Sequence, residues 1–228
     1  MGLVLMACGG AGGSGNNLPD PTIRFFNGSP DSVALNFLID DTVEGSQLAF
    51  LQSTPDFESK DDGIKDIRIQ EDGTSVDLWS EVLDMQKDHS YLVSAIGLEN
   101  FGAEPLKRIR FVIADLDRTP PNGTRAELII LHGYNREAGL ETPGIDFQTP
   151  GDNPQFSTTG IGYAELRQLD VDAGNWTFEA RREGTETILV SQNVTLGGGK
   201  IYAVYILGVE NGVGNLAPRM EFVELQTD

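Results

Sequence analysis

The chain of 228 residues contains one cysteine, two histidines and two tryptophans, and each scarcity removes a class of chemistry. A lone cysteine forms no intrachain disulfide, so stability has to come from packing. With only His89 and His132 beside Cys8, a metal centre built from Cys and His ligands is unavailable. Positive charge is also scarce: 16 Lys and Arg face 35 Asp and Glu, for a net charge of −19. Such a field repels phosphate backbones and anionic lipid surfaces, which excludes nucleic acid as a partner. No segment approaches the roughly 18 apolar residues that a membrane-spanning helix requires. Long apolar stripes of helical period are missing too, whereas 27 Gly and 11 Pro demand frequent turns. The 39% apolar content can still fill real cores, and the composition is that of an all-β protein.

Cys8 has an informative setting. Leu5, Met6 and Ala7 stand before it and a glycine-rich run follows, an arrangement that resembles a bacterial lipobox. Ala7 supplies the small residue a processing protease needs, and Gly2 to Met6 form an apolar remnant. No Lys or Arg precedes Cys8, so translation is expected to begin upstream of Met1, or the chain to be truncated. Gly9 to Asn17 is Gly, Ala, Ser and Asn, the composition of a flexible tether. The expectation is a lipid anchor on Cys8, with the protein held at a bacterial cell envelope. Gly9 directly after the cysteine resembles lipoproteins sent to an outer membrane.

The second signal is an internal duplication. Tyr91-Leu-Val-Ser-Ala-Ile-Gly-Leu-Glu-Asn100 recurs as Tyr202-Ala-Val-Tyr-Ile-Leu-Gly-Val-Glu-Asn211, an offset of 111. The same offset pairs Gly63 with Gly174, Gly73-Thr74 with Gly184-Thr185, Leu78 with Leu189, and Phe111-Val112 with Phe222-Val223. Nearer the start, Asn27-Gly28 matches His132-Gly133 at an offset of 105, so about six residues were gained in the second copy, in loops such as Gly144 to Gly160. The segment Asp115 to Thr124, with its Pro-Pro-Asn-Gly, has linker chemistry. The expected organisation is a tether over 1–21, one module over 22–118 and a second over 119–228.

Each repeat reads as short strands. In the first they fall at Ile23 to Phe25, Val33 to Ile39, Leu48 to Leu51, Ile64 to Ile69, Val76 to Leu83, Tyr91 to Leu98 and Ile109 to Ile113. Tyr91 to Leu98 is apolar on both alternating faces, as a central buried strand is, and so is Tyr202 to Val209. About seven strands with a turn every 8 to 12 residues predict two tandem immunoglobulin-like β-sandwiches.

The phrase Ile23-Arg-Phe-Phe-Asn-Gly-Ser-Pro-Asp31, the downstream Gly63 and Gly73-Thr74, and the closing Tyr91-Leu-Val-Ser-Ala-Ile-Gly97 resemble the DUF4397 family of bacterial envelope domains. The second copy keeps the ending in Gly199 to Gly208, but its opening, Leu131-His-Gly-Tyr-Asn135, has lost the Ser-Pro-Asp. The resemblance spans residues 22 to 225 as two copies. It implies a secreted or lipid-anchored sandwich, often in tandem, with no established chemistry.

Catalytic signals are sparse. His89 precedes a buried strand and reads as a turn residue; His132, aligned with Asn27, suits a side chain that hydrogen-bonds a turn. Ser29 lacks a strand-to-helix elbow, and no G-x-S-x-G occurs. Carboxylates at Asp40-Asp41, Asp56 to Asp62, Asp115-Leu-Asp117 and Asp170-Val-Asp172 offer hard oxygen ligands, yet none has calcium-loop spacing. Trp176 alternates with Phe178 and Ala180 as a core residue does, and Trp79 is expected to be core or half-buried, against an exposed sugar platform. The expectation is therefore a non-enzymatic envelope lipoprotein without cofactor, metal or catalytic residue, anchored in the membrane through lipid on Cys8. It would serve binding, adhesion or assembly, with a protein or glycan ligand. A glycan- or calcium-binding surface is the alternative, and an enzyme with a carboxylate site the least favoured reading.

Overall fold

The computed structural model describes residues 18–100, 107–136, 141–225 and 227. Cys8 and the Gly-rich segment lie outside the described residues. Among the described residues the chain is all-β, and a short 3-10 turn spans Gly214–Leu216. The first module holds β1 (Thr22–Asn27), β2 (Leu35–Ile39), β3 (Thr42–Leu48), β4 (Glu58–Ser59), β5 (Gly63–Glu71), β6 (Asp77–Met85), β7 (Ser90–Ile96) and β8 (Arg110–Leu116). The second holds β9 (Arg125–Asn135), β10 (Ile145–Gln148), β11 (Ser157–Ile161), β12 (Leu166–Asp172), β13 (Gly174–Arg182), β14 (Ile188–Leu196), β15 (Lys200–Val209) and β16 (Arg219–Leu225).

Each module is a sandwich of two four-stranded sheets, ordered β4-β1-β7-β8 over β3-β2-β5-β6, and β12-β9-β15-β16 over β11-β10-β13-β14. The opening strand runs parallel to the Tyr-containing strand, Ile23 opposite Tyr91 and Glu127 opposite Ile201. Period-2 alternation then divides the side chains of these central strands. Ile23, Phe25, Tyr91, Val93 and Ala95 enter the first module's own core with Phe37, Ile67 and Ile69. Leu128, Ile130, Tyr202, Val204 and Ile206 do the same in the second with Phe147 and Phe178.

The opposite faces of those strands do not meet water. Phe26, Leu92, Ile96, Val112, Ala114 and Leu116 pack against Ile129, Leu131, Ile201, Ala203, Tyr205 and Leu207 in a third core between the modules. The double-sided apolarity of Tyr91 to Leu98 thus has two separate causes, one core per face. The contact has isologous logic, with each partner presenting the same patch. Ser94 and Tyr205, equivalent residues at the offset of 111, share a hydrogen bond of 3.1 Å. A Cβ on Gly28 would lie 3.4 Å from Leu207, and one on its counterpart Gly133 would lie 3.3 Å from Ile96, the counterpart of Leu207. Arg219 lies 5.0 Å over the ring of Phe50, and Arg110 lies 5.8 Å over the ring of Tyr163. Tyr205 also stacks on Phe26 at 3.8 Å and 9°. The tandem is a four-layer stack on a local two-fold axis.

The duplicated motif residues hold the turns. Asn27 Oδ1 accepts from Ser29 N at 2.9 Å and its Nδ2 donates to the Leu48 carbonyl at 2.9 Å. His132 reproduces both contacts: Nδ1 accepts from Tyr134 N at 3.2 Å and Nε2 reaches the Pro143 carbonyl at 3.0 Å. The phenol of Tyr91 accepts from Gln86 N at 3.1 Å, as that of Tyr202 does from Gly197 N at 2.9 Å. Asp31 binds the amides of Glu99 and Asn100 at 2.8 and 2.9 Å, tying the opening turn to the end of β7. Where the second module lacks this aspartate, Arg136 pairs with Glu210, the counterpart of Glu99, at 2.8 Å. Gly97 and Gly208 sit at φ +106° and +104°, and a Cβ there would meet the carbonyl oxygens of Arg108 and Ala217 at 2.4 and 2.5 Å. Only glycine fits both demands.

Four expectations are corrected. Among the described residues each module has eight strands, one more than the roughly seven expected. Of the expected strand Leu48 to Leu51, only Leu48 belongs to a strand, as the end of β3; the chain then turns, because Leu51 adopts φ +69° and its amide closes on the Asn27 carbonyl at 2.7 Å. The offset of 111 does not reach the last strand: Ser90 pairs with Leu116 while Ile201 pairs with Leu225, so β8 and β16 are related by 109. Phe111 therefore matches Met220, and the shift of two keeps every side chain on its face. The gain in the second copy is also divided. The pairs Leu35 with Glu71 and Ile145 with Arg182 set an offset of 110, so five of the extra residues precede β10.

Candidate binding faces

Because the inner sheets are used up between the modules, the surfaces open to a ligand are the outer sheets and the seam. On the outer face of the first module, Ile64 and Val82 are 76% and 66% exposed. Ile64 pairs with Asp84 and Asp66 with Val82, so the two apolar side chains are diagonal neighbours on one face. Carboxylates surround them. Arg68 lies on the same face and reaches Asp66 at 3.4 Å, Asp77 at 3.7 Å and also Asp41. The equivalent face of the second module has Asn175, Thr177, Asn193 and Thr195 at the positions of Ile64, Asp66, Val82 and Asp84. That face is polar and uncharged around a depression of about 330 Å³.

Several of the carboxylates singled out as oxygen ligands are engaged by other groups. Asp40 accepts from the Asp66 amide at 3.0 Å and pairs with Lys65 at 3.2 Å, and these contacts hold its carboxyl below the usual range. Glu58 pairs with Lys60, Asp62 with Lys87 and Asp172 with Arg125. Among the described residues no group of three His, Cys, Asp or Glu is arranged to hold a metal ion. Asp117 instead caps the amide of Thr119 at 2.9 Å.

The histidines differ. His89 Nδ1 lies 2.7 Å from Asp115 Oδ2 in an open hollow of about 470 Å³ beside Ser90, Arg118 and Thr119. The Ser90 hydroxyl pairs with Thr22 Oγ1 at 2.9 Å. Burial pushes His132 down to about 4, leaving a neutral ring that serves its turn. A larger hollow, about 580 Å³, opens at the seam between Phe57, Arg118, Lys200, Glu224 and Leu225.

Neither tryptophan forms a platform. Trp176 is half-buried, edge-on to Phe156 at 5.0 Å, with Nε1 donating to the Asp172 carbonyl at 2.7 Å. Trp79 is half-buried against the first core, beneath Arg108 and Arg110 at 5.5 and 5.8 Å. Sequence reading passed over the Ile64 and Val82 pair. The signal that marks it is an apolar residue on the polar phase of an alternating strand, twice on adjacent strands.

No protein-family model matches the chain, and no curated protein is similar to it in sequence. Solved structures similar to it include the Bacillus anthracis TIE protein, 8% identical over 83% of this chain and 34% of that one, with a TM-score of 0.29. This chain thus spans about a third of that protein. A family 26 carbohydrate-binding module of Eubacterium rectale Amy13K, solved with maltoheptaose, is 11% identical over 92% and 98% of the two chains, with a TM-score of 0.27. A Bacteroides fragilis protein described as a candidate cell adhesion protein is 10% identical over 91% and 98%, with a TM-score of 0.26. Likenesses of this strength define neither a family nor a ligand.

Proposed function

We propose that the protein is a non-enzymatic binding or adhesion module of a cell envelope, built from two DUF4397-like sandwiches and tethered by lipid on Cys8. The observation that carries the reading is the exposed Ile64 and Val82 pair on an end face of a stack whose other sheet-sized apolar faces are covered. Exposed apolar surface rimmed by polar residues is the pattern of a contact surface, and this pair supplies its apolar centre. The surrounding Asp41, Asp66, Asp77 and Asp84 select a protein partner that brings an apolar contact rimmed by Lys and Arg. The third core supports the reading because it joins the two modules face to face, so their outer faces are held in one orientation relative to each other.

The experiment has two arms. Native protein and a Cys8→Ser variant are fractionated, and the variant is expected to leave the membrane fraction. A soluble 18–228 fragment is then tested for saturable binding to isolated envelopes, before and after Ile64→Lys with Val82→Lys. Binding that ignores these substitutions, or turnover of a substrate by the purified fragment, would overturn the proposal.

A further inference from the structure

Four Asn-x-Ser/Thr triplets occur in the chain: Asn27-Gly-Ser29, Asn122-Gly-Thr124, Asn175-Trp-Thr177 and Asn193-Val-Thr195. This is the acceptor pattern for N-linked glycans on exported chains when the middle residue is not proline. The fold divides the four sharply. Asn27 and Ser29 are both 0% exposed, the Asn27 nitrogen is spent on the Leu48 carbonyl, and Pro30 follows. Asn122, Asn175 and Asn193 are all exposed.

In the exposed three, a threonine hydroxyl anchors the oxygen of each carboxamide. Thr124 Oγ1 and its amide donate to Asn122 Oδ1 at 3.4 and 3.2 Å, in the turn that opens the second module. On the β13 and β14 pair the bonds cross between triplets. Thr177 Oγ1 donates to Asn193 Oδ1 at 2.6 Å, and Thr195 Oγ1 to Asn175 Oδ1 at 2.6 Å. These bonds hold the oxygen of each carboxamide, on asparagine side chains that are all exposed. Asn175 and Asn193 border the uncharged depression on the outer face of the second module.

We propose that Asn122, Asn175 and Asn193 are glycan acceptors, which rests on the envelope location proposed above. The donor class is a polyprenyl-phosphate-linked oligosaccharide used by a membrane transferase. The Asn Nδ2 attacks the anomeric carbon, the Nδ2–C1 bond forms as the C1–O bond to phosphate breaks, the amide proton passes to a transferase base, and the lipid phosphate leaves. Because Asn175 and Asn193 are diagonal neighbours, at most one of them carries a full chain in any one molecule. The modification would sheathe the outer sheet of the second module and leave the Ile64 and Val82 face bare.

The test is glycopeptide mass spectrometry of the full chain recovered from its native envelope, with Asn27 as the internal control. Sugar mass is expected on the Asn122 peptide and on one or other of Asn175 and Asn193, and none on Asn27. Thr124→Ala should abolish the first and Thr124→Ser restore it, while both leave the asparagine in place. Unmodified Asn122, Asn175 and Asn193 in lipidated, membrane-recovered protein would overturn the proposal and leave the envelope reading standing. Recovery of unlipidated protein from the cytoplasm would overturn the envelope reading itself. Glycan on Asn27, or on Asn175 and Asn193 together, would overturn the structural selection argued here.

Discussion

The two modules agree on their inner sheets and part company on their outer ones. Inside, equivalent positions carry equivalent duties even where the residue changes, as with Asn27 and His132 or Asp31 and Arg136. Outside, Ile64, Asp66, Val82 and Asp84 face Asn175, Thr177, Asn193 and Thr195 at matched places with nothing in common. The difference follows from packing. An inner residue touches its own core or the other module, and a face pressed against its own copy is constrained from both sides. An outer residue touches water, so it can diverge without cost to the fold.

That comparison is broken most severely at its glycines. Gly97→Ala and Gly208→Ala should each cost about 3 kcal/mol or more in chemical denaturation, since left-handed strain and a carbonyl clash coincide at both. Similar losses at the two positions would show that the modules unfold as one body; a loss confined to half the signal would show that they do not.

Tyr205→Ala comes next, at about 3–5 kcal/mol, because it removes the ring stacked on Phe26 and opens a cavity in the third core. Calorimetry should then resolve two transitions where the parent has one. Ser94→Ala, at the equivalent position, removes only a hydroxyl and leaves the Tyr205 phenol without its partner, at about 1–3 kcal/mol. Equal effects from the two variants would refute the asymmetric use of this pair.

A third test turns one module into the other. His132 is depressed to about 4 in the fold against an ordinary 6.5, so between those values the unfolded chain binds the proton and the folded chain does not. Stability therefore falls as pH drops from about 6.5 towards 4, by on the order of 3 kcal/mol. His132→Asn, which copies Asn27, should keep the fold at neutral pH and flatten the denaturation midpoint across that window. An unchanged acid slope would remove His132 as its cause.

The mildest test concerns the related cation–π contacts. Arg219→Ala should cost about 0.5–1 kcal/mol by loss of the Phe50 contact. Arg110→Ala should cost more, since Arg110 lies over Trp79 as well as Tyr163. A double-mutant cycle of Arg110 with Tyr163 measures the part that belongs to the interface.

How far the primary structure could be read varies by residue. The repeat was plain because Tyr91 to Asn100 and Tyr202 to Asn211 share identities without a gap. The last strand misled for the same reason: Phe111-Val112 and Phe222-Val223 match by identity, yet hydrogen-bond register aligns Phe111 with Met220. A shift of two preserves the apolar phase, so no pattern of alternation could reveal it. Equivalence of Asn27 and His132 was visible by alignment, but which ring atom replaces which amide atom was not. The Ile64 and Val82 face needed the pairing of β5 with β6 before two scattered residues became neighbours.

Alternation, glycine and proline usage and the internal repeat determine an all-β chain of two like modules, because these are local properties that each strand and turn obeys on its own. What Leu92, Ile96, Leu131 and Leu207 pack against is not local. Their burial is the same whether they meet their own module or the other, so composition could not distinguish two tethered sandwiches from one fused stack. Only the tertiary structure decided it, by placing Ser94 against Tyr205 and closing a third core between the repeats.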